Sequence, residues 1–117
     1  AKKGAYPPLP LFDGEKVVDP DVSAEAQGTL TRRYTERAVG FIGANAGKPF
    51  FLYLAYAMPH VPLYPGEAFR GRSKAGPYGD AVEEIDWSVG RLLAALDEHK
   101  LAADTLVVFT SDNGPWL

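Results

Sequence analysis

Between Thr29 and Ala46 the apolar residues Leu30, Tyr34, Ala38, Phe41 and Ile42 recur three or four positions apart, and Arg32, Arg33, Glu36 and Arg37 fill the positions between them. That period draws one apolar stripe along a helix and predicts an amphipathic helix over 29–46. Gly47-Lys48-Pro49 ends the pattern, and Phe50 to Tyr56 follow as a short, unalternating aromatic and apolar run. Such a run predicts a strand covered on both faces, as in a parallel sheet. Met58 to Gly79 is rich in Pro, Gly and Arg and has no period, so it predicts a long loop. Asp80, with Glu83 three residues later, has the form of a capping box. Val82, Ile85, Val89, Leu92, Leu93 and Leu96 then trace the apolar stripe of a second helix. The β-branched run Thr105 to Thr110 predicts a second strand that ends in Ser111-Asp112-Asn113-Gly114-Pro115. Helix, strand, helix, strand in that order predicts an α/β fold: a partial parallel sheet made of a right-handed βαβ unit with flanking helices.

The first 28 residues differ. Tyr6-Pro7-Pro8-Leu9-Pro10 fixes backbone angles that no helix interior accepts, and it predicts an extended lead-in. Leu9 to Phe12 and Lys16 to Val18 flank Asp13-Gly14, a dipeptide suited to a turn that needs positive φ. A small hairpin fits these residues, and so does a surface loop. The organisation expected is therefore a Pro-rich lead-in over 1–28 and a partial α/β domain over 29–117.

Composition narrows the function classes. The 117 residues, 46% hydrophobic and 23% charged, are one domain's worth of ordinary globular protein. Lys+Arg 12 against Asp+Glu 15 gives a net charge of -3 with no run of like charges, which argues against a nucleic-acid or membrane-surface footprint. The longest dense apolar stretch, Pro49 to Pro59, is far shorter than the roughly 20 residues of a membrane helix. With no cysteine, disulfides, thiolate zinc sites and Cys nucleophiles are excluded. The sole Met is Met58, so the sequence starts after initiator removal, after processing, or inside a longer protein. Neither a glycine-rich phosphate loop, nor a His-Glu-x-x-His helix, nor a Gly-x-Ser-x-Gly elbow is present.

In open parallel sheets ligands bind beyond the carboxyl ends of the strands. Pro59-His60-Val61-Pro62 and Asp112-Asn113-Gly114 follow the two expected strands, and the topology brings both to one rim. Asp112 and Asn113 offer hard oxygens of the kind calcium takes about six to eight of. A plain turn also explains Asp-Asn-Gly. His60 could donate to an anionic oxygen near neutral pH, or simply occupy a loop. Arg70, Arg72 and Lys74 could bind an anionic group, and a solvated basic loop explains them at least as well. Glu83, Glu84 and Asp86 fall where a helix start favours carboxylates, and Trp87 belongs to the packing.

The chain from about Leu30 to Trp116 resembles the type I sulfatases, the arylsulfatase branch of the alkaline-phosphatase-like superfamily. The resemblance rests on Leu30-Thr31-Arg32-Arg33-Tyr34-Thr35, on Pro49-Phe50-Phe51-Leu52-Tyr53-Leu54 leading to Pro59-His60-Val61-Pro62, and on Tyr78-Gly79-Asp80. Thr110-Ser111-Asp112-Asn113-Gly114-Pro115 closes it, with all four in the family's order. It implies an alkaline-phosphatase-like fragment of a calcium-dependent hydrolase of sulfate esters, with Asp112 and Asn113 as two calcium ligands and His60 as a catalytic residue contacting the sulfate. The family's nucleophile, a formylglycine made in a Cys/Ser-x-Pro-x-Arg motif, has no counterpart here, because there is no Cys and no Ser-x-Pro-x-Arg. Also missing are the paired acidic residues of the family's first strand, the upstream Lys and His of its sulfate pocket, and the Lys beyond Asp-Asn-Gly. The resemblance thus implies a central piece of a sulfatase, inactive alone, from a family commonly periplasmic, secreted or lysosomal. Its uncovered apolar strands imply a homo-oligomer through sheet edges. A noncatalytic α/β binding or self-associating module is the alternative.

Overall fold

The computed structural model describes residues 7–114. Residues 1–6 of the lead-in, and Pro115 and Trp116 at the end of the last motif, lie outside the described residues. Strands β1 (Leu11–Asp13) and β2 (Lys16–Asp19) form an antiparallel hairpin, followed by helices α1 (Ala24–Gln27), α2 (Leu30–Ala44) and α3 (Gly76–Glu98) and a 3-10 turn, Ala102–Asp104. Asp13 pairs with Lys16, so Gly14 takes the first central position of a two-residue turn, with φ 61°. A positive φ there is what such turns require and what glycine adopts without steric cost. Arg37 of α2 ties the hairpin down through Asp13.

α2 matches its expected span within two residues at each end, and Ala38 and Ile42 are buried as the stripe requires. Toward its N-terminus, however, Thr31 and Thr35 are the buried residues. α3 starts five residues before the capping box would have it, with Pro77 in its first turn and Ala75 as the flanking residue. Asp80 caps no helix: its two carboxylate oxygens accept from the backbone N–H groups of Gly71 and Ser73, each at 2.8 Å. The expected stripe holds only at the C-terminal end. There Leu96 and Ala95 join Ile42 in a small apolar core packed by Val39, Phe50, Leu52, Leu92 and Leu101. In its N-terminal half α3 buries Asp80, Ala81, Glu84 and Ser88, while Val82 is exposed.

The two expected strands depart from expectation in one respect. Residues 50–56 and 105–110 follow the right connections, but among the described residues they pair with no strand, and the hairpin is the sheet. No backbone hydrogen bond joins one to the other. The parallel pairing is therefore not made, because neither segment has a neighbour in register for its N–H and C=O groups. Segment 50–56 nevertheless lies as a strand lies. Phe50, Leu52, Leu54 and Tyr56 turn toward the helices, whereas Phe51 and Tyr53 are 87% and 81% exposed. One face is covered, not two. Among the described residues no helix is long and apolar enough to cross a membrane.

Candidate functional site

Residues 57–75 carry His60 from the end of segment 50–56 to the start of α3. His60 is exposed between Pro59 and Pro62. Its Nδ1 lies 2.6 Å from the Val61 carbonyl oxygen. A carbonyl can only accept, so Nδ1 carries the proton and Nε2 is left for another partner.

The second candidate cluster closes segment 105–110. Ser111 Oγ donates to the Asn113 carbonyl at 2.6 Å, and Asn113 Nδ2 donates to Asp112 Oδ2 at 3.2 Å. Asp112 and Asn113 are thus brought together, and both are exposed. In kind, a carboxylate oxygen and an amide oxygen suit a hard cation, and the tight turn keeps them on one short stretch of chain. In number they are a part of a site: among the described residues no three His, Cys, Asp or Glu side chains group around a common point. His60 shares no hydrogen bond with either residue.

Two basic residues of the loop, Arg70 and Arg72, are engaged locally. Arg70 Nε donates to the Pro65 carbonyl at 3.1 Å. Arg72 lies over the Phe69 ring at 5.3 Å and 4.0 Å from the Glu83 carboxylate. Phe69 in turn packs against Trp87, whose indole carries Arg32 at 5.5 Å, so Trp87 packs as expected.

What the sequence reading missed is a polar ladder under the loop. Asp80, Glu84 and Ser88 stand four residues apart on one face of α3, all at most 3% exposed. Glu84 Oε2 accepts from the Gly66 N–H at 2.7 Å. Ser88 donates to the Glu84 carbonyl at 2.9 Å and lies 2.9 Å from Thr35 Oγ1, which is also 2.9 Å from the Tyr56 hydroxyl. Burial pushes the Glu84 carboxyl above the usual glutamate range, against the opposing pull of the Gly66 N–H and of Arg32. Asp80 goes the other way, because the Ser73 and Gly71 N–H groups hold its carboxylate charged. The available signal was the spacing 80, 84, 88 beside Gly66 and Gly79, both pressed against partners.

With the fold and these residues in place, the comparisons are unambiguous as to family. The sulfatase family model matches residues 4–117, and the chain belongs to the sulfatase family. Steryl-sulfatase of Mus musculus is 52% identical over 87 residues, 74% of this chain and 14% of that protein. Arylsulfatase H of Homo sapiens is 51% identical over 104 residues, 89% of this chain and 18% of that protein. N-acetylgalactosamine-6-sulfatase of Sus scrofa is 48% identical over 90 residues, 75% of this chain. A solved sulfatase chain from the glycosaminoglycan metabolism of Bacteroides thetaiotaomicron superposes with TM-score 0.73 at 38% identity, covering 75% of this chain and 18% of that one. The α/β, alkaline-phosphatase-like class of the fragment is therefore established, although its parallel strands are unpaired. The chain spans 14% to 18% of the length of these relatives.

Proposed function

We propose that this chain is the part of a sulfate-ester hydrolase that supplies His60 to the sulfate group and Asp112 and Asn113 to a calcium ion. The observation that supports the reading is the sulfatase match over residues 4–117, a span that includes these three residues. Calcium, when bound, would offset the charge of the sulfate oxygens. His60 serves the same end from Nε2, which can donate to a sulfate or leaving-group oxygen once protonated. The rest of the metal shell and the nucleophile lie in no motif of this sequence, so the 117 residues alone are expected to bind weakly and turn nothing over.

The test is a calcium titration of the chain followed in amide spectra, with Asp112→Ala beside it. Saturable shifts confined to residues 111–114, absent in Asp112→Ala, support the reading. Indifference to calcium in both proteins overturns the metal assignment. Hydrolysis of a chromogenic aryl sulfate that Asp112→Ala abolishes would overturn the inactivity. A second reading, a self-associating module, is favoured by the exposure of Phe51, Tyr53, Leu106, Val108 and Phe109. A light-scattering mass of one monomer at working concentration would count against it.

A further inference from the structure

The loop that carries His60 is a stretch without helix or strand, and such stretches usually lack the backbone partners that hold a side chain in place. Here the partners come from α3 and, through Thr35, from α2. Before His60, the Tyr56 hydroxyl meets Thr35 Oγ1, which meets Ser88. After it, the Gly66 N–H donates to Glu84, and the Gly71 and Ser73 N–H groups donate to Asp80. Residues 80, 84 and 88 lie along one face, so α3 holds the chain directly after His60 and, before it, through Thr35 of α2. The grip is tight at Gly66, where a Cβ would sit 2.7 Å from Glu84 Oε1. Burying a carboxylate is costly unless its oxygens are hydrogen-bonded, and an apolar side chain would fill the space more cheaply. A carboxylate at position 84 therefore needs a reason, and the Gly66 N–H is the one the geometry offers.

We infer that the Asp80–Glu84–Ser88 face of α3 is the positioning element of the His60 loop, with Glu84 as its central positioning residue. The inference rests on the proposed role of His60 only for its functional meaning. Its physical content, that α3 fixes where His60 stands, is independent of calcium and sulfate.

The test uses the 117-residue chain, whose two histidines, His60 and His99, give separable imidazole signals, so that one reports and the other controls. Glu84→Ala removes the acceptor and Glu84→Gln keeps one. Glu84→Ala is expected to speed hydrogen exchange at the Gly66 amide by about tenfold or more. It is also expected to shift the His60 ring signals while those of His99 stay. Glu84→Gln is expected to restore both toward the parent values. Should Glu84→Ala fail to fold, Tyr56→Phe tests the other flank by deleting one hydroxyl, and the same His60-only shift is expected. Unmoved His60 signals in a folded variant, or equal movement of His60 and His99, would overturn the inference. A moved His60 in a chain indifferent to calcium would leave the positioning role standing and remove the metal assignment instead.

Discussion

Two regions of this molecule invert the usual distribution of polarity. Beneath the His60 loop, the largest fully buried side chains are Glu84, Thr35 and Ser88, at 1%, 1% and 0% exposure. Along segments 50–56 and 105–110, Phe51, Tyr53, Leu106, Val108 and Phe109 stand 73% to 88% in solvent. The polar seam is stable because its groups are matched: no buried side-chain nitrogen or oxygen among the described residues lacks a hydrogen-bond partner. The apolar segments have the residue types of a covered sheet without the cover. The difference separates two demands on a sequence. The seam is satisfied locally by side chains of α2 and α3, the Tyr56 hydroxyl and backbone N–H groups of the loop, whereas the segments have the residue types of strands covered on both faces.

The largest expected effect falls on the one place where burial and apolarity coincide. Ile42, with Ala95 and Leu96, forms the small core that Phe50 and Leu52 pack against. Ile42→Ala should cost about 2 to 5 kcal/mol, measured by urea denaturation, because little around it can close the cavity. A loss under about 1 kcal/mol would mean that the polar seam, not this cluster, holds the helices together. Next in size is Gly66→Ala, whose methyl group would press on Glu84 Oε1 at 2.7 Å. Displacing either the loop or a buried, hydrogen-bonded carboxylate should cost about 1 to 3 kcal/mol. A neutral Gly66→Ala would show that the grip on the loop is slack.

Sequence reasoning reached the regions unequally, and for identifiable reasons. α2 is legible because the spacing Ala38 to Ile42 is a local signal, whereas Asp13-Gly14 suits a hairpin and a surface loop alike. The start of α3 was misread because Asp80 and Glu83 satisfy the capping-box pattern, while the real use of Asp80 is tertiary, nine and seven residues back at Gly71 and Ser73. Glu84 was read as a helix-start carboxylate for the same reason: its partner, the Gly66 N–H, is a backbone group that no side-chain pattern announces. The strands were legible as residue types but not as pairings, since pairing depends on neighbours. Asp112, Asn113 and His60 stand out in the sequence as residue types in short motifs; the structure joins Asn113 to Asp112 and gives the His60 ring a hydrogen bond to Val61.

A smaller effect uses pH to divide the seam itself. Glu84 has its carboxyl raised from the ordinary 4.5, first by burial, so in that window the folded state holds a proton that the unfolded state has lost. Its stabilising contribution is full below about 4.5 and is lost as pH rises through the folded value. Asp80 is lowered from 3.8, first by the Ser73 N–H. Its contribution is full above 3.8 and is lost as pH falls through its folded value. Urea midpoints across a pH series should therefore fall on both sides. Glu84→Gln should flatten the high-pH side alone, and a series unchanged by Glu84→Gln would contradict the assignment.

The smallest effect on stability, and the sharpest contrast with the seam, belongs to the exposed segments. Phe51→Ser together with Leu106→Ser removes two of the most exposed large apolar side chains, 87% and 88% in solvent. Neither belongs to the core cluster, so the folded monomer loses no burial and its urea midpoint should move by no more than about 0.5 kcal/mol. Their removal should instead show in association, because exposed apolar runs with unpaired backbone groups are templates for pairing with another copy. Light scattering across a concentration series should therefore separate the two proteins, the parent gaining mass with concentration and the double variant staying monomeric. If both stay monomeric, the segments are exposed without being adhesive at those concentrations. If the double variant instead loses several kcal/mol of stability, these side chains are buried in solution, and the contrast between a matched polar interior and an unmatched apolar exterior fails at its second half.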